Sequence, residues 1–193
     1  MENVLFDFIS RYMALSEEEK QAIIDLAIFK TFTKGMVLLK AGAMSDESYF
    51  VLKGCLRCYY IIDDEEKTTA FYTETEGFSP VCSIRKIPSE YYVSCVEDSI
   101  ILVSTPDMEQ AVFEKFPRFE TLCRLLSEEL LAKNQSSFDD FKNSNPEQRY
   151  LNLLHTRPDL LARVPLNQLA SYLGIKPESL SRIRKRLTKL TQS

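Results

Sequence analysis

Histidine is nearly absent from this 193-residue chain, where His155 stands alone. Metal enzymes on jelly-roll scaffolds need clustered imidazole and carboxylate ligands, so a single histidine argues against that chemistry. Glycine is scarce as well, and none of the five glycines belongs to a Gly-rich phosphate loop. No nucleophile motif or zinc-spaced cluster accompanies His155, which reads as a helix-surface or interface residue. No catalytic or metal-binding residue is assigned, no cofactor is implied, and the chain is read as a non-enzyme. Its cysteines, Cys55, Cys58, Cys82, Cys95 and Cys123, are odd in number and form no disulfide framework, so reduced thiols are expected. Cys55 and Cys58 make a C-x-x-C inside an expected strand, where residues three apart point to opposite faces, which argues against a metal or redox pair. No apolar run approaches the roughly 20 residues of a membrane span. The N-terminus lacks the basic region and cleavage site of a secretory signal, so a cytoplasmic location without a membrane partner is expected.

Charge is present but unevenly placed. The net charge is −4, yet from Arg163 onward seven basic residues face the single acid Glu178, a local +6 that leaves −10 on the rest. With screening over about 8 Å at physiological salt, an acidic region a domain away does not cancel that basic patch. The acidic bulk suppresses indiscriminate binding to duplexes.

The basic patch lies on two expected helices. In the first, Leu166 to Leu173, residues Leu166, Leu169, Ala170 and Leu173 share one face. Gly174 suits a left-handed helix end, with Ile175 folding back beyond it. Pro177 fits the first turn of the second helix, whose apolar face is Leu180, Ile183, Leu187 and Leu190. Its opposite face is polar and basic. In a helix-turn-helix the second helix enters the major groove. Glu178, Ser181 and Arg182 are then placed to read base edges, with Arg182 matching guanine and Glu178 matching cytosine N4. Lys176, Ser179, Lys185, Arg186 and Lys189 fall where phosphates are touched, contacts that set affinity rather than sequence preference. Lys176 occupies the N-cap position but has no oxygen with which to accept a helix N–H.

The stretch PESLSRIRKRL resembles the recognition helix of the Crp/Fnr-type bacterial transcription regulators, in which a Glu and an Arg four positions later read a half-site. Here those positions are Glu178 and Arg182. The family often carries another Arg just before the Glu, where this chain has Pro177. Only six residues follow Leu187, so no β-hairpin wing is expected.

Ahead of this motif, Ser16 and Glu19 form a capping-box pattern, and Ile23, Ile24, Ala27 and Ile28 have helical spacing, predicting lead-in helices near 3–13 and 17–28. From Lys34 to Ser104 short β-branched and aromatic runs alternate with turns, among them Asp63-Asp64 and Gly77, predicting a double-sheet jelly roll. The pattern LKGCLRCYYI resembles the family's cyclic-nucleotide-binding β-roll. In nucleotide-binding relatives a Gly-Glu pair and an Arg-Ser-Ala run hold the cyclic phosphate. This chain has Gly77-Phe78 at the first place and Ser89-Glu90 near the second, so cAMP binding in the usual way is not expected. Arg85 lies nearby as a substitute, and Tyr60, Tyr72, Gly77, Arg85 and Ser89 are the candidate effector-pocket residues. Tyr60, Phe71, Tyr72, Tyr91 and Tyr92 could line such a pocket, but alternating aromatics in strands are more often ordinary core.

Thr105-Pro106 opens one helix, and a long one begins near Pro117, carrying a seam of Phe119, Leu122, Cys123, Leu126 and Leu130. That seam suits either the chain's own β-roll or a symmetry mate; the resemblance implies homodimerisation through this helix, about 117–142. Asn145-Pro146-Glu147 starts the next helix. The expected class is α+β: a double-stranded, jelly-roll-like β-roll and dimerisation helix over 1–142, then a helix-turn-helix domain over 143–193. The expected function is a homodimeric, sequence-specific regulator on palindromic double-stranded DNA, with a small-molecule effector and RNA polymerase as candidate partners. The alternative is a ligand-binding β-roll whose helical tail docks on a protein.

Overall fold

The computed structural model describes residues 2–26 and 28–190, with backbone alone at 2, 26 and 188–190. Ala27 lies outside the described residues, as do the side chains of Lys189 and Leu190. The chain opens with α1 (Glu2–Ile9) and α2 (Glu17–Leu26). The capping box forms as the sequence dictates: the Ser16 N–H donates to Glu19 Oε2 at 2.8 Å and the Glu19 N–H to Ser16 Oγ at 3.2 Å.

One expectation needs correction here. Ile28, assigned above to the apolar face of the second helix, instead begins β1 (Ile28–Phe32) and is 44% exposed. Helical spacing is a local preference. It is overridden by pairing, because β1 runs antiparallel to a late strand, with Ile28 opposite Val103 and Phe32 opposite Ser99.

The strands continue as β2 (Val37–Leu39), β3 (Ser48–Lys53), β4 (Leu56–Ile62), β5 (Glu65–Tyr72) and β6 (Gly77–Phe78). A short α3 (Val81–Arg85), which the sequence reading did not anticipate, precedes β7 (Tyr92–Cys95) and β8 (Ser99–Ser104). Two four-stranded sheets result, ordered β1-β8-β3-β6 and β2-β7-β4-β5, which is the double-sheet roll. Strand alternation decides what is buried: Tyr49 and Val51 of β3 stand opposite Val103 and Ile101 of β8, and all four are essentially inaccessible. Val93 and Cys95 of β7 are buried at the same alternate spacing. Gly54 joins β3 to β4 at φ +106°, and an added Cβ would meet Ser99 Oγ at 2.2 Å, so only glycine fits there.

The helices that follow are α4 (Pro106–Lys115), α5 (Arg118–Asn143), α6 (Pro146–Thr156), α7 (Pro158–Arg163), α8 (Leu166–Tyr172) and α9 (Pro177–Leu190). Thr105 caps α4, accepting from the Met108 N–H, and Asn145 caps α6, accepting from the Gln148 N–H at 3.0 Å. The 26 residues of α5 make it the longest described helix, and no described helix is long and apolar enough to cross a membrane.

The chain's contacts divide it into two compact units, Met1–Cys58 with Phe71–Leu131, and Tyr59–Ala70 with Ala132–Ser193. The first unit has a cluster of Leu5, Ile9, Leu52, Phe119 and Leu122, bordered by Phe50, Ile100 and Leu102. Fully burying each such side chain contributes roughly 1.5–3 kcal/mol, so this cluster fixes the start of α5 and α1 on the outer face of the first sheet. In the second unit the outer part of the β4–β5 hairpin joins the C-terminal helices, whose core includes Leu160, Leu169, Ala170 and Leu180.

Candidate nucleic-acid interface

The helix-turn-helix is built by one turn. The Ile175 N–H donates to the Ala170 carbonyl and the Gly174 N–H to the Ser171 carbonyl, both at 3.0 Å, while Gly174 sits at φ +71°. That pair of bonds is the Schellman closure, and it satisfies the last carbonyls of α8 while reversing the chain into α9. Leu169, Ala170, Leu173, Leu180 and Ile183 are all buried, so α8 and α9 meet through their apolar faces with Ala170 at the close approach.

Packing that face inward leaves the other one out. Lys176, Glu178, Ser181, Arg182, Arg184, Lys185 and Arg186 are exposed, and Ser179 is half-buried. The sequence-assigned contact residues thus share the outer surface of α9, although Lys189, whose side chain is not described, adds nothing to that placement. Two of them are occupied. Arg182 Nη2 donates to Ser179 Oγ at 3.2 Å, and Arg186 forms an ion pair with Glu147 at the start of α6. Both contacts are exposed and exchangeable, since surface pairs contribute about 0–1 kcal/mol.

Arg149 secures the base of this unit. Its guanidinium lies 3.8 Å from the centroid of the Phe141 ring, Nη1 donates to the Leu173 carbonyl at 3.1 Å, and Nε donates to the Ser144 carbonyl at 3.1 Å. One side chain therefore ties the end of α5 to the turn before α9. Sequence reasoning saw Glu147 only as part of a helix start and did not single out Arg149, because Arg186 lies 39 residues from Glu147 and Leu173 lies 24 from Arg149.

The candidate effector residues are distributed differently. Tyr72 is half-buried and stacks on Phe78, with centroids 4.1 Å apart. Gly77 pairs with Phe50, and an added Cβ would stand 3.0 Å from the Phe50 ring, so close strand packing explains this glycine. Arg85 is exposed at the end of α3. Ser89 is buried, and its hydroxyl donates to the Tyr91 carbonyl at 2.8 Å. Tyr60 belongs to the second unit, whereas the other four belong to the first.

On α5, Phe119 and Leu122 are buried in the chain's own cluster, and Leu126 and Leu130 are half-buried. Cys123, Leu125, Leu131 and Phe138 are exposed. Burial pushes the Cys58 thiol up to about 12, so it stays protonated and inert. Among the described residues no three His, Cys, Asp or Glu side chains gather as metal ligands. His155 is exposed on α6.

No family model matches the chain, and no curated protein matches it in sequence. Solved structures match across most of its length. FixK2 from Bradyrhizobium japonicum aligns with a TM-score of 0.69 at 14% identity, over 86% of both chains. The c-di-GMP-responsive global regulator CLP of Xanthomonas campestris gives 0.67 at 16% identity, over 90% of this chain and 92% of its own. A CooA variant from Carboxydothermus hydrogenoformans gives 0.66 at 16% identity, over 87% and 79%. These neighbours are Crp/Fnr-family regulators rather than enzymes. With its double-sheet roll, long helix and C-terminal helices, the chain has the fold of the Crp/Fnr-type transcription regulators.

Proposed function

We propose that the chain is a Crp/Fnr-type transcription regulator that binds palindromic double-stranded DNA sequence-specifically as a homodimer. The observation that supports this most is the outer face of α9, where Glu178, Ser181 and Arg182 are exposed near the helix start and Lys185 and Arg186 follow, on a helix seated by Leu180 and Ile183. An α-helix fits the major groove, and this order puts the residues suited to base edges where such a helix enters deepest. Arg182 and Glu178 read bases with Ser181, while Lys176, Ser179, Lys185, Arg186 and Lys189 hold phosphates. The functional division runs at 142/143, with the roll acting as a sensor for a small effector that is not cAMP held in the usual way; an exposed Arg85 and a Gly77 explained by strand packing support that.

Dimerisation is assigned to α5. Leu131 is 70% and Phe138 58% exposed, one heptad apart, a seam a solitary helix has no reason to show to water.

Selection of a random duplex pool on the purified protein tests the function. Wild type enriches a palindrome. Arg182→Ala loses about 1–3 kcal/mol of discrimination at a G·C pair in each half-site. Equal loss on selected and scrambled duplexes would remove Arg182 from base reading, and no enrichment by wild type, with or without cell extract, would favour a tail that docks on a protein.

A further inference from the structure

We propose that the acidic tip of the β4–β5 hairpin is an autoinhibitory stop on the DNA-reading surface, held there by Ser171 of α8, and that duplex DNA must displace it. This rests on the DNA-binding reading above.

The hairpin turn is Asp63-Asp64, both at positive φ (52° and 59°), as a two-residue type I′ loop requires. With that loop, residues 65, 67 and 69 exchange hydrogen bonds with β4, and the backbone groups of residues 66 and 68 face away. β5 ends its sheet's strand order, so those outward groups lie on an open edge that needs a partner. Ser171 is that partner. Its hydroxyl accepts from the Thr68 N–H at 2.9 Å and donates to the Glu66 carbonyl at 2.9 Å, filling the place a neighbouring strand would take. Hairpin and helix-turn-helix accordingly fall in the same compact unit.

What the clasp holds is the important part. Asp63, Asp64, Glu65 and Glu66 form a run of exposed carboxylates at the tip, in the same compact unit as the most basic segment of the chain. The Glu65 carboxyl is held below its ordinary value chiefly by its bond to Lys67, and further by the charge of Lys176, the residue that leads into α9. A phosphate approaching Lys176 therefore comes within the field of that carboxylate. The tip offers the basic face the same charge that a DNA backbone offers, at an effective concentration set by covalent attachment.

The experiment measures anisotropy of a fluorescein-labelled duplex of fixed mixed sequence, titrated with the full chain, together with amide exchange at Thr68. Ser171→Ala changes no charge. It is expected to bind about 5- to 10-fold tighter, the scale of one or two net hydrogen bonds, at an unchanged salt slope and with faster Thr68 exchange. Duplex added to wild type is likewise expected to speed Thr68 exchange. Glu65→Gln/Glu66→Gln is expected to tighten binding more than Asp107→Asn/Glu114→Gln, which removes the same charge from exposed sites in the other unit. If wild type binds but Ser171→Ala gains nothing despite faster Thr68 exchange, or if saturating duplex leaves Thr68 protected, the stop is refuted while DNA binding stands. If neither protein binds any duplex, the DNA-binding reading fails and the stop with it.

Discussion

Two arginine–glutamate pairs of long sequence separation, Arg118–Glu19 in the first compact unit and Arg186–Glu147 in the second, are built for different ends. In the first unit Arg118 grips Glu19 with two bonds, Nε to Oε1 at 2.6 Å and Nη2 to Oε2 at 2.7 Å, and also donates to the Ala14 carbonyl. Glu19 is only 5% exposed and serves as the N3 residue of the capping box. In the second unit Arg186 meets Glu147 with both side chains open to water. A carboxylate buried among fixed donors is committed, because removing its cation leaves a charge that water cannot reach. A pair at the surface loses little when it parts, so it can exchange one anion for another. The same two residue types thus act as a structural pin beside the roll and as an exposed, weakly held contact on α9.

The largest effect that sharpens this contrast is Arg118→Ala. Breaking a fully buried pair costs about 3–5 kcal/mol; with Arg118 itself half exposed, about 2 kcal/mol is expected, read as a lower urea midpoint. A loss as small as that of a surface pair would break the comparison.

Acid comes next. Burial alone would raise the Glu19 carboxyl, but the Ser16 N–H and Arg118 outweigh it and hold the group below its ordinary value of 4.5. A depressed carboxylate adds stability above the unfolded-state value and loses it as pH falls through the folded-state value. Wild type is therefore expected to exceed Glu19→Gln in stability at pH 7, with the gap closing below about 4.5 in thermal melts followed by circular dichroism. A gap that stayed constant down to pH 3 would assign it to packing instead.

The smallest effect belongs to the other pair. Glu147→Gln is expected to leave stability within about 0.5 kcal/mol while steepening the salt dependence of duplex binding by about one unit, since Arg186 would no longer have to leave a partner before releasing a counterion from the duplex. An unchanged slope would show that Arg186 takes no phosphate.

These pairs also mark what the sequence could and could not reveal. The helix-turn-helix was legible because its determinants are local: Gly174, the apolar spacing around it and Pro177 act within a few residues of one another. The capping box at Ser16 and Glu19 was legible for the same reason. Arg118, 99 residues from Glu19, was not, nor was Ser171, 103 residues from Thr68. Isolated serines and arginines have no periodicity to betray their partners. β1 was hidden in a continuation of helical spacing, and its strand state comes from β8, far along the chain. The five-residue α3 is too short for any period to register. In the long helix the apolar seam was visible, but which part the chain itself covers depends on the lead-in helices packing over Phe119 and Leu122.

The guanidinium of Arg149 bears on how such a protein can be taken apart and recombined. Lying on the Phe141 ring and bonded to the Leu173 carbonyl, it ties the last turn of α5 to the turn before α9. A chimera joined at 142/143 would graft the helix-turn-helix without the ring that its arginine rests on, whereas a junction at 131/132 would carry the ring along. Insertions within the helical residues between Phe141 and Arg149, in the last turn of α5 or the first of α6, would act like a faulty junction too, since each added residue turns a helix by about 100° and carries the ring away from the cation. For anyone exchanging C-terminal helices between proteins of this fold, the spacing across this joint has to be kept along with the Asn145 cap within it.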